Sequence, residues 1–281
     1  MIEQGGLRAF NTVWSRPINL KEDFMIRDYD LLVTALSALN WRKNNGEITL
    51  FADKYATYYF NRLNMLSFWD KVEEIPYDLG INPKMYWAGA KLFALKKMQA
   101  PCVMMDTDMI VWQNLQNILN SDICSAHSEP LITEVYKPKE YFKMKEAFDF
   151  DELSFNVYAS NTAILYIADM DFKKYYTDLA IEFMQKSEDV DDTLSYMVFA
   201  EQRLLSMCAY KKNKQIKYIL EFPKAIGNQQ LLTHIWGYKK ILAENTYEKM
   251  KFCKRTVKRL RNDFYDETEK FLANDIFKRY M

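Results

Sequence analysis

The chain has 281 residues, 49% of them apolar and 27% charged, which is enough for a sizeable core beneath a solvated surface. Its 38 basic and 38 acidic side chains cancel, so no overall field draws in nucleic acid and any polyanion contact must be local. The four cysteines (Cys102, Cys124, Cys208 and Cys253) lack CxxC spacing, which suggests neither a thiolate metal site nor a disulfide framework and fits a reducing cytoplasm.

Met1 to Gly6 carries no charged-then-apolar leader, and the longest uncharged stretch, Phe155 to Ala168, is too short and polar to span a bilayer. Arg8 to Trp14 predicts a first strand. Asp28 to Asn44 predicts an amphipathic helix with Leu31, Leu32, Ala35, Leu36 and Leu39 at helical spacing, stopped by Asn45-Gly46. Glu47 to Ala52 predicts a second strand ending at Asp53, and a helix follows from Lys54 to about Leu66. Asn82-Pro83 supplies a cap and first-turn proline for a helix over Lys84 to Gln99, which Pro101 stops. Cys102 to Met105 is an unbroken apolar run, as expected of a strand covered on both faces. This alternation predicts an α/β fold with a mostly parallel, twisted central sheet flanked by helices.

The second half is less regular. Ile123 to His127 and Ala163 to Ile167 read as strands, and Ser128 to Asn156, aromatic and charged, as a long loop or lid. Asp171 to Lys186 and Asp192 to Tyr210 read as helices. The acids Glu188, Asp189, Asp191 and Asp192 read as a solvated loop and helix cap rather than a second metal site. From Tyr238 onward the pattern is helical and charged. The expected organisation is a catalytic domain over residues 1–240 with a helical extension over residues 241–281.

The informative motif is Val103-Met104-Met105-Asp106-Thr107-Asp108-Met109-Ile110-Val111. Two carboxylates one residue apart follow a buried strand, and ligands of open α/β sheets bind beyond the carboxyl ends of strands. Carboxylates beside a core are costly unless something positive pairs with them, and a divalent cation is the natural partner. Such an ion would neutralise a departing diphosphate. An Asp-x-Asp triplet can also do no more than cap a turn.

With its neighbours, the triplet resembles the core of GT-A glycosyltransferases, especially the retaining group related to glycogenin and bacterial lipopolysaccharide galactosyltransferases. Ala88-Gly89-Ala90-Lys91-Leu92 occupies the place of the group's lysine-bearing helix, about a dozen residues before the triplet strand. Asn161-Thr162-Ala163 stands where the group has Asn-x-Gly against the donor sugar, with Ala163 in place of glycine. Glu201-Gln202 matches an Asp-Gln pair near the reacting carbon, and His234-Ile235-Trp236-Gly237-Tyr238-Lys239-Lys240 matches His-x-x-Gly-x-x-Lys without the following Pro-Trp. The resemblance runs from about Arg8 to Lys240 as short motifs rather than continuous similarity.

It implies a hexosyltransferase of polysaccharide biosynthesis that moves a sugar from a UDP-sugar to a hydroxyl of a glycan or lipid-linked acceptor, with retention. Asp106, Asp108 and His234 would hold Mn2+ (or Mg2+), and Thr107 would lie against the donor. Lys91 would reach the donor's phosphates or sugar, unless it is a solvated helix lysine. Gly237 would let backbone amides approach the diphosphate, and Lys240, or Lys239 one register away, would pair with it. Asn161 and Thr162 would contact the donor sugar, and Gln202 and Glu201 would lie at the reacting centre. An inverting reaction would need a carboxylate base, Glu201 or Glu129. The base and ribose would bind near Asn11, Thr12, Trp14 and Ser15 after strand one and near Asp53 after strand two; Asp53 fits a helix cap equally well. His127 reads as structural or acceptor-side.

Between Lys249 and Arg261, seven basic residues interleave with Met250, Phe252, Val257 and Leu260. They predict either a helix lying on an anionic membrane or a solvated helix balanced by Asp263, Asp266, Glu267 and Glu269. Two other functions share parts of this pattern. A sugar nucleotidyltransferase would need a glycine-rich loop after strand one, and Leu7 to Pro17 has no glycine. A catalytically inactive glycan- or partner-binding relative would not need the intact Asp106, Asp108 and His234.

Overall fold

The computed structural model describes residues 6–18, 21–221 and 230–281. Of the opening segment read as lacking a leader, all but Gly6 lies outside them. The strands are β1 (Ala9–Val13), β2 (Ile48–Ala52), β3 (Lys71–Glu74), β4 (Cys102–Met105), β5 (Met109–Val111), β6 (Ile123–Ser125), β7 (Ser128–Glu129), β8 (Ala159–Ser160), β9 (Ile164–Ile167), β10 (Ile216–Tyr218) and β11 (Leu232–His234). The first four helices are α1 (Asp28–Asn44), α2 (Lys54–Arg62), α3 (Ala90–Lys97) and α4 (Met170–Lys186).

Seven strands form one mixed sheet in the order β10-β6-β9-β4-β1-β2-β3. β4, β1, β2 and β3 are parallel neighbours, as are β10 and β6, and β9 runs antiparallel to both β4 and β6. The fold is thus α/β with a mostly parallel sheet. Side chains alternate between its faces with the strand period of two. Ala9, Val13, Val103 and Met105 join the core that holds α1, whereas Phe10, Cys102 and Met104 join the core that holds α3 and α4.

The turn from α1 into β2 needs Gly46, whose φ of +141° suits glycine and whose Cβ would meet the Leu7 carbonyl oxygen at 2.6 Å. The helix expected over Lys84 to Gln99 is shorter, spanning Ala90–Lys97. Before it the chain winds in turns closed by Gly89 N–H to the Tyr86 carbonyl and Lys91 N–H to the Ala88 carbonyl, at 2.8 and 3.0 Å. Gly89 allows this packing, because a Cβ would stand 2.7 Å from Ile81 Cδ1 and 3.0 Å from the Tyr86 carbonyl oxygen. The Ser128 to Asn156 stretch is largely irregular but anchored, with Phe142, Phe148 and Phe150 packing on Phe183.

No helix among the described residues is long and apolar enough to cross a membrane. The helix Thr246–Asp263 turns Cys253, Thr256, Val257 and Leu260 into the core shared with α1. Met250 and Phe252 pack against the same core, while Lys251, Lys254, Arg255, Lys258, Arg259 and Arg261 are exposed. The apolar residues expected to face a bilayer are therefore already covered. This corrects the membrane-lying reading.

Candidate functional site

Chain order steps from β1 to β2 and β3 on one side, then returns through α3 to β4 on the other side of β1. The switch point of the sheet thus lies between β1 and β4, and the crevice beyond their carboxyl ends is where such sheets bind ligands. Asp106 follows β4 directly, and its N–H donates to the Ala163 carbonyl at 2.8 Å. The Met109 N–H closes a turn back to the Asp106 carbonyl at 3.1 Å. β5 then pairs antiparallel with β11, setting Met109 opposite His234, and the Ile235 N–H donates to the Asp108 carbonyl at 3.1 Å. Two short strands thereby bring together residues far apart in sequence.

The ligand atoms of Asp106, Asp108 and His234 all lie within 4.8 Å of one another. His234 Nε2 stands 3.6 Å from Asp108 Oδ1 and 4.0 Å from Asp106 Oδ2. It is buried and has no hydrogen-bond partner. These separations are too long for hydrogen bonds, yet atoms each about 2.1 Å from a shared ion stand about 3–4 Å apart. An orphaned ring nitrogen facing two carboxylate oxygens fits a divalent cation.

The electrostatics agree. Burial pushes the Asp106 carboxyl up; Lys91 opposes this, but the negative Asp108 and Glu201 add to it. Burial also opposes charge on Asp108, where His234 and Lys239 outweigh it and hold the carboxyl well below the usual carboxylate range. Burial lowers the His234 imidazole, but the two aspartates raise it overall. The pocket favours a cation beyond those the chain supplies.

Lys91 is no solvated lysine. Its Nζ lies 2.6 Å from Asp106 Oδ1 and 2.5 Å from Glu201 Oε1, and Thr162 Oγ1 donates to the same Glu201 oxygen at 2.6 Å. Burial disfavours the ammonium, but Asp106 and Glu201 raise its pKa well beyond the ordinary lysine value. Glu201 and Gln202 sit on a π-helical turn, Phe199–Arg203, between the helical segments Ser195–Val198 and Leu204–Lys211. Such turns often occur at functional sites. Gln202 Oε1 lies 2.7 Å from the Tyr136 hydroxyl, which is 2.8 Å from Glu129 Oε2, and Asn161 Nδ2 donates to Glu129 Oε1 at 2.7 Å. Asn161 Oδ1 accepts the Ala163 N–H at 3.1 Å.

Several expected residues take other places. Lys239, not Lys240, reaches the acids, with Nζ 3.0 Å from Asp108 Oδ2 and 3.2 Å from Asp30 Oδ1. Lys240 is exposed, because the 3-10 turn Trp236–Tyr238 rotates the next helix, Lys239–Glu244, by one position relative to the expected register. Gly237 lies exposed on that turn, and Thr107 is half-buried between the two aspartates. Ser15 and Asp53 are fully buried and satisfy each other: Asp53 accepts from the Ser15 N–H and hydroxyl and from the Tyr55 and Ala56 N–H groups at the start of α2. They have no surface for a nucleotide, so Asp53 is a helix cap. Asn11 is buried between the Trp69 indole and the Met105 carbonyl, and Trp14 donates to the Tyr77 carbonyl at 2.9 Å. Thr12 Oγ1 is buried without a hydrogen-bond partner. Asp192 caps the Leu194 and Ser195 N–H groups, as a helix-capping acid should.

Sequence reasoning missed Asp30 and Tyr136. Asp30 lies in the first turn of α1, where an acid complements the helix dipole, and nothing in the sequence sets it against Lys239. Tyr136 lies in the aromatic loop, where nothing marks one tyrosine from the next. A separate cavity of about 650 Å³, lined by Met25, Arg27, Tyr59, Leu242, Lys249 and Arg279 among others, contains none of Asp106, Asp108 and His234.

A family model described as a family of unknown function (DUF6734) matches residues 7–274. No curated protein sequence is a significant match. Among solved structures, mouse xyloside xylosyltransferase 1 in its apo form is similar, with 9% identity and a TM-score of 0.42 over 75% of this chain and 84% of that one. The glycosyltransferase GlyE of Streptococcus pneumoniae TIGR4 is 12% identical with a TM-score of 0.37, over 78% of this chain and 46% of that one. HddC of Yersinia pseudotuberculosis is 14% identical with a TM-score of 0.34, over 60% of this chain and 80% of that one.

Proposed function

This chain belongs to the DUF6734 family, and we propose that it is a metal-dependent glycosyltransferase of the GT-A type. In this reading it moves a sugar from a UDP-sugar to a hydroxyl of a glycan or lipid-linked acceptor, with retention, in a reducing cytoplasm. In this reading residues 1–240 carry the catalytic domain, and the helical extension over 241–281 packs on it and completes the core that holds α1. The observation that carries the reading is the convergence of Asp106, Asp108 and the unpartnered His234 Nε2 at the carboxyl end of β4. Those three residues would hold Mn2+ or Mg2+, which when bound neutralises charge on a departing diphosphate.

The chain's own groups have complementary tasks. Lys91 and Lys239 hold the aspartates and bring positive charge to the site where the diphosphate would lie. Asn161 and Thr162 are tied to Glu129 and Glu201, which orients them beside Asp106 for the donor sugar. Gln202, held by Tyr136, serves the reacting face. Glu201 Oε1 is already occupied by Lys91 and Thr162, which supports retention over a reaction needing Glu201 as base.

The test is UDP release from UDP-sugars with Mn2+. Asp108→Ala should lower kcat/KM at least about a hundredfold, the scale of several kcal/mol of lost charge stabilisation. Equal rates in variant and wild type would end the metal proposal. UDP should also raise the melting temperature only when Mn2+ is present, as a donor-binding site requires.

A further inference from the structure

Asp106 and Asp108 divide their oxygens in the same way. Asp106 gives Oδ1 to Lys91 at 2.6 Å and turns Oδ2 towards His234 at 4.0 Å. Asp108 gives Oδ2 to Lys239 at 3.0 Å and turns Oδ1 towards His234 at 3.6 Å. Behind each lysine stands a second acid, Glu201 at 2.5 Å from Lys91 and Asp30 at 3.2 Å from Lys239. An ammonium is a point charge on a flexible stem with no preferred direction, so a lysine between two carboxylates is held in place, whereas one facing a single carboxylate can swing across both its oxygens.

The helix dipole alone does not account for the position of Asp30. Asp28 already supplies an acid to the first turn of α1, and the Asp30 side chain is only 21% exposed, where a carboxylate without a cationic partner is costly. The four acids Asp30, Asp106, Asp108 and Glu201 against two lysines leave two formal negative charges in excess before the imidazole is counted, the charge of one divalent ion.

We propose that Asp30 is a positioning residue for the metal site: by sharing Lys239 it keeps that ammonium on Asp108 Oδ2, leaves Oδ1 free to ligate, and thereby sets the affinity for the divalent cation. This rests on the metal-dependent reading above. Without the Asp30 carboxylate, Lys239 turns wholly to Asp108 and competes with the ion for it.

The experiment titrates the full-length protein with Mn2+ alone, following free Mn2+ by electron paramagnetic resonance, in wild type, Asp30→Asn, Lys239→Gln and the double variant. Asp30→Asn should weaken Mn2+ binding about tenfold or more, the usual scale for a group supporting a metal ligand. In the Lys239→Gln background the same change should matter less than about threefold, because no lysine is left to position. Unchanged affinity in Asp30→Asn overturns the proposal. So does an equal loss with and without Lys239, which would mark a simple effect of charge. Should Asp30→Asn not fold, as judged by circular dichroism, Asp30→Ser carries the same expectation. A wild-type protein that does not bind Mn2+ removes the metal reading itself, a different result from binding that ignores Asp30.

Discussion

Gly237 occupies a turn in which a Cβ would meet nothing within 4 Å, and its backbone is outside the left-handed region. The fold therefore makes no demand for glycine there, so any need for Gly237 would have to come from a bound ligand. Gly237→Ala should leave stability unchanged or raise it by up to about 1 kcal/mol, through a less disordered unfolded chain. The same variant should bind UDP with Mn2+ about tenfold more weakly by calorimetry, a loss of about 1.4 kcal/mol. Affinity equal to wild type would show that no diphosphate approaches that turn. Asp106, Asp108 and His234 could be found in the sequence because their spacing is local and their residue types are chemically distinctive. Lys239 and Lys240 differ only in which way a single turn winds, so the sequence favoured the wrong neighbour. Asp30 was hidden because its partner lies on another element, and a carboxylate at a helix start already has an ordinary explanation.

At the scale of elements, α1 is held at its beginning as well as along its length. The Asp28 carboxylate accepts the Tyr29 N–H at 2.8 Å and takes both Arg279 and the Tyr280 hydroxyl from the C-terminal segment. Burial alone would raise this carboxyl, but those partners hold it below its ordinary value. The folded chain therefore binds fewer protons here than the unfolded chain. The stabilisation is complete above the unfolded value near 4 and is lost as pH falls through the lower folded value. Asp28→Asn should cost about 1 kcal/mol in urea unfolding at pH 7, and the gap to wild type should narrow as pH falls below the unfolded value near 4. A gap that persists in acid would mean packing, not charge. Elements with strong periodicity were readable from sequence, including α1 and β4 to the residue. The start of α3 was not, because Gly89 meets Ile81 and Met184 in contacts that only the folded chain defines. The π turn was equally hidden, since nothing in Phe199 to Arg203 breaks a helical pattern.

Across the whole molecule, two cores sandwich the sheet, and the C-terminal helices complete the one that holds α1. Parallel sheet and flanking helices could be read from the alternation of apolar runs, but the placement of the basic helix could not, since its periodicity suits a protein core and a lipid surface alike. With Val257 and Leu260 buried, that helix offers mainly charge, with the Tyr247 ring exposed near its start. Vesicles containing anionic lipid should not retain the protein at about 0.15 M salt, where isolated surface charges are screened beyond about 8 Å. Flotation with the vesicles under those conditions would show a membrane surface elsewhere on the molecule.

The pairing of β5 with β11 has a kinetic corollary. One side of the proposed metal site is built in the first half of the chain, while the imidazole arrives from β11, well into the second half. On the proposed reading a newly made chain would not grip an ion until that late segment docks, so capture of the ion would report the docking of β11 on β5.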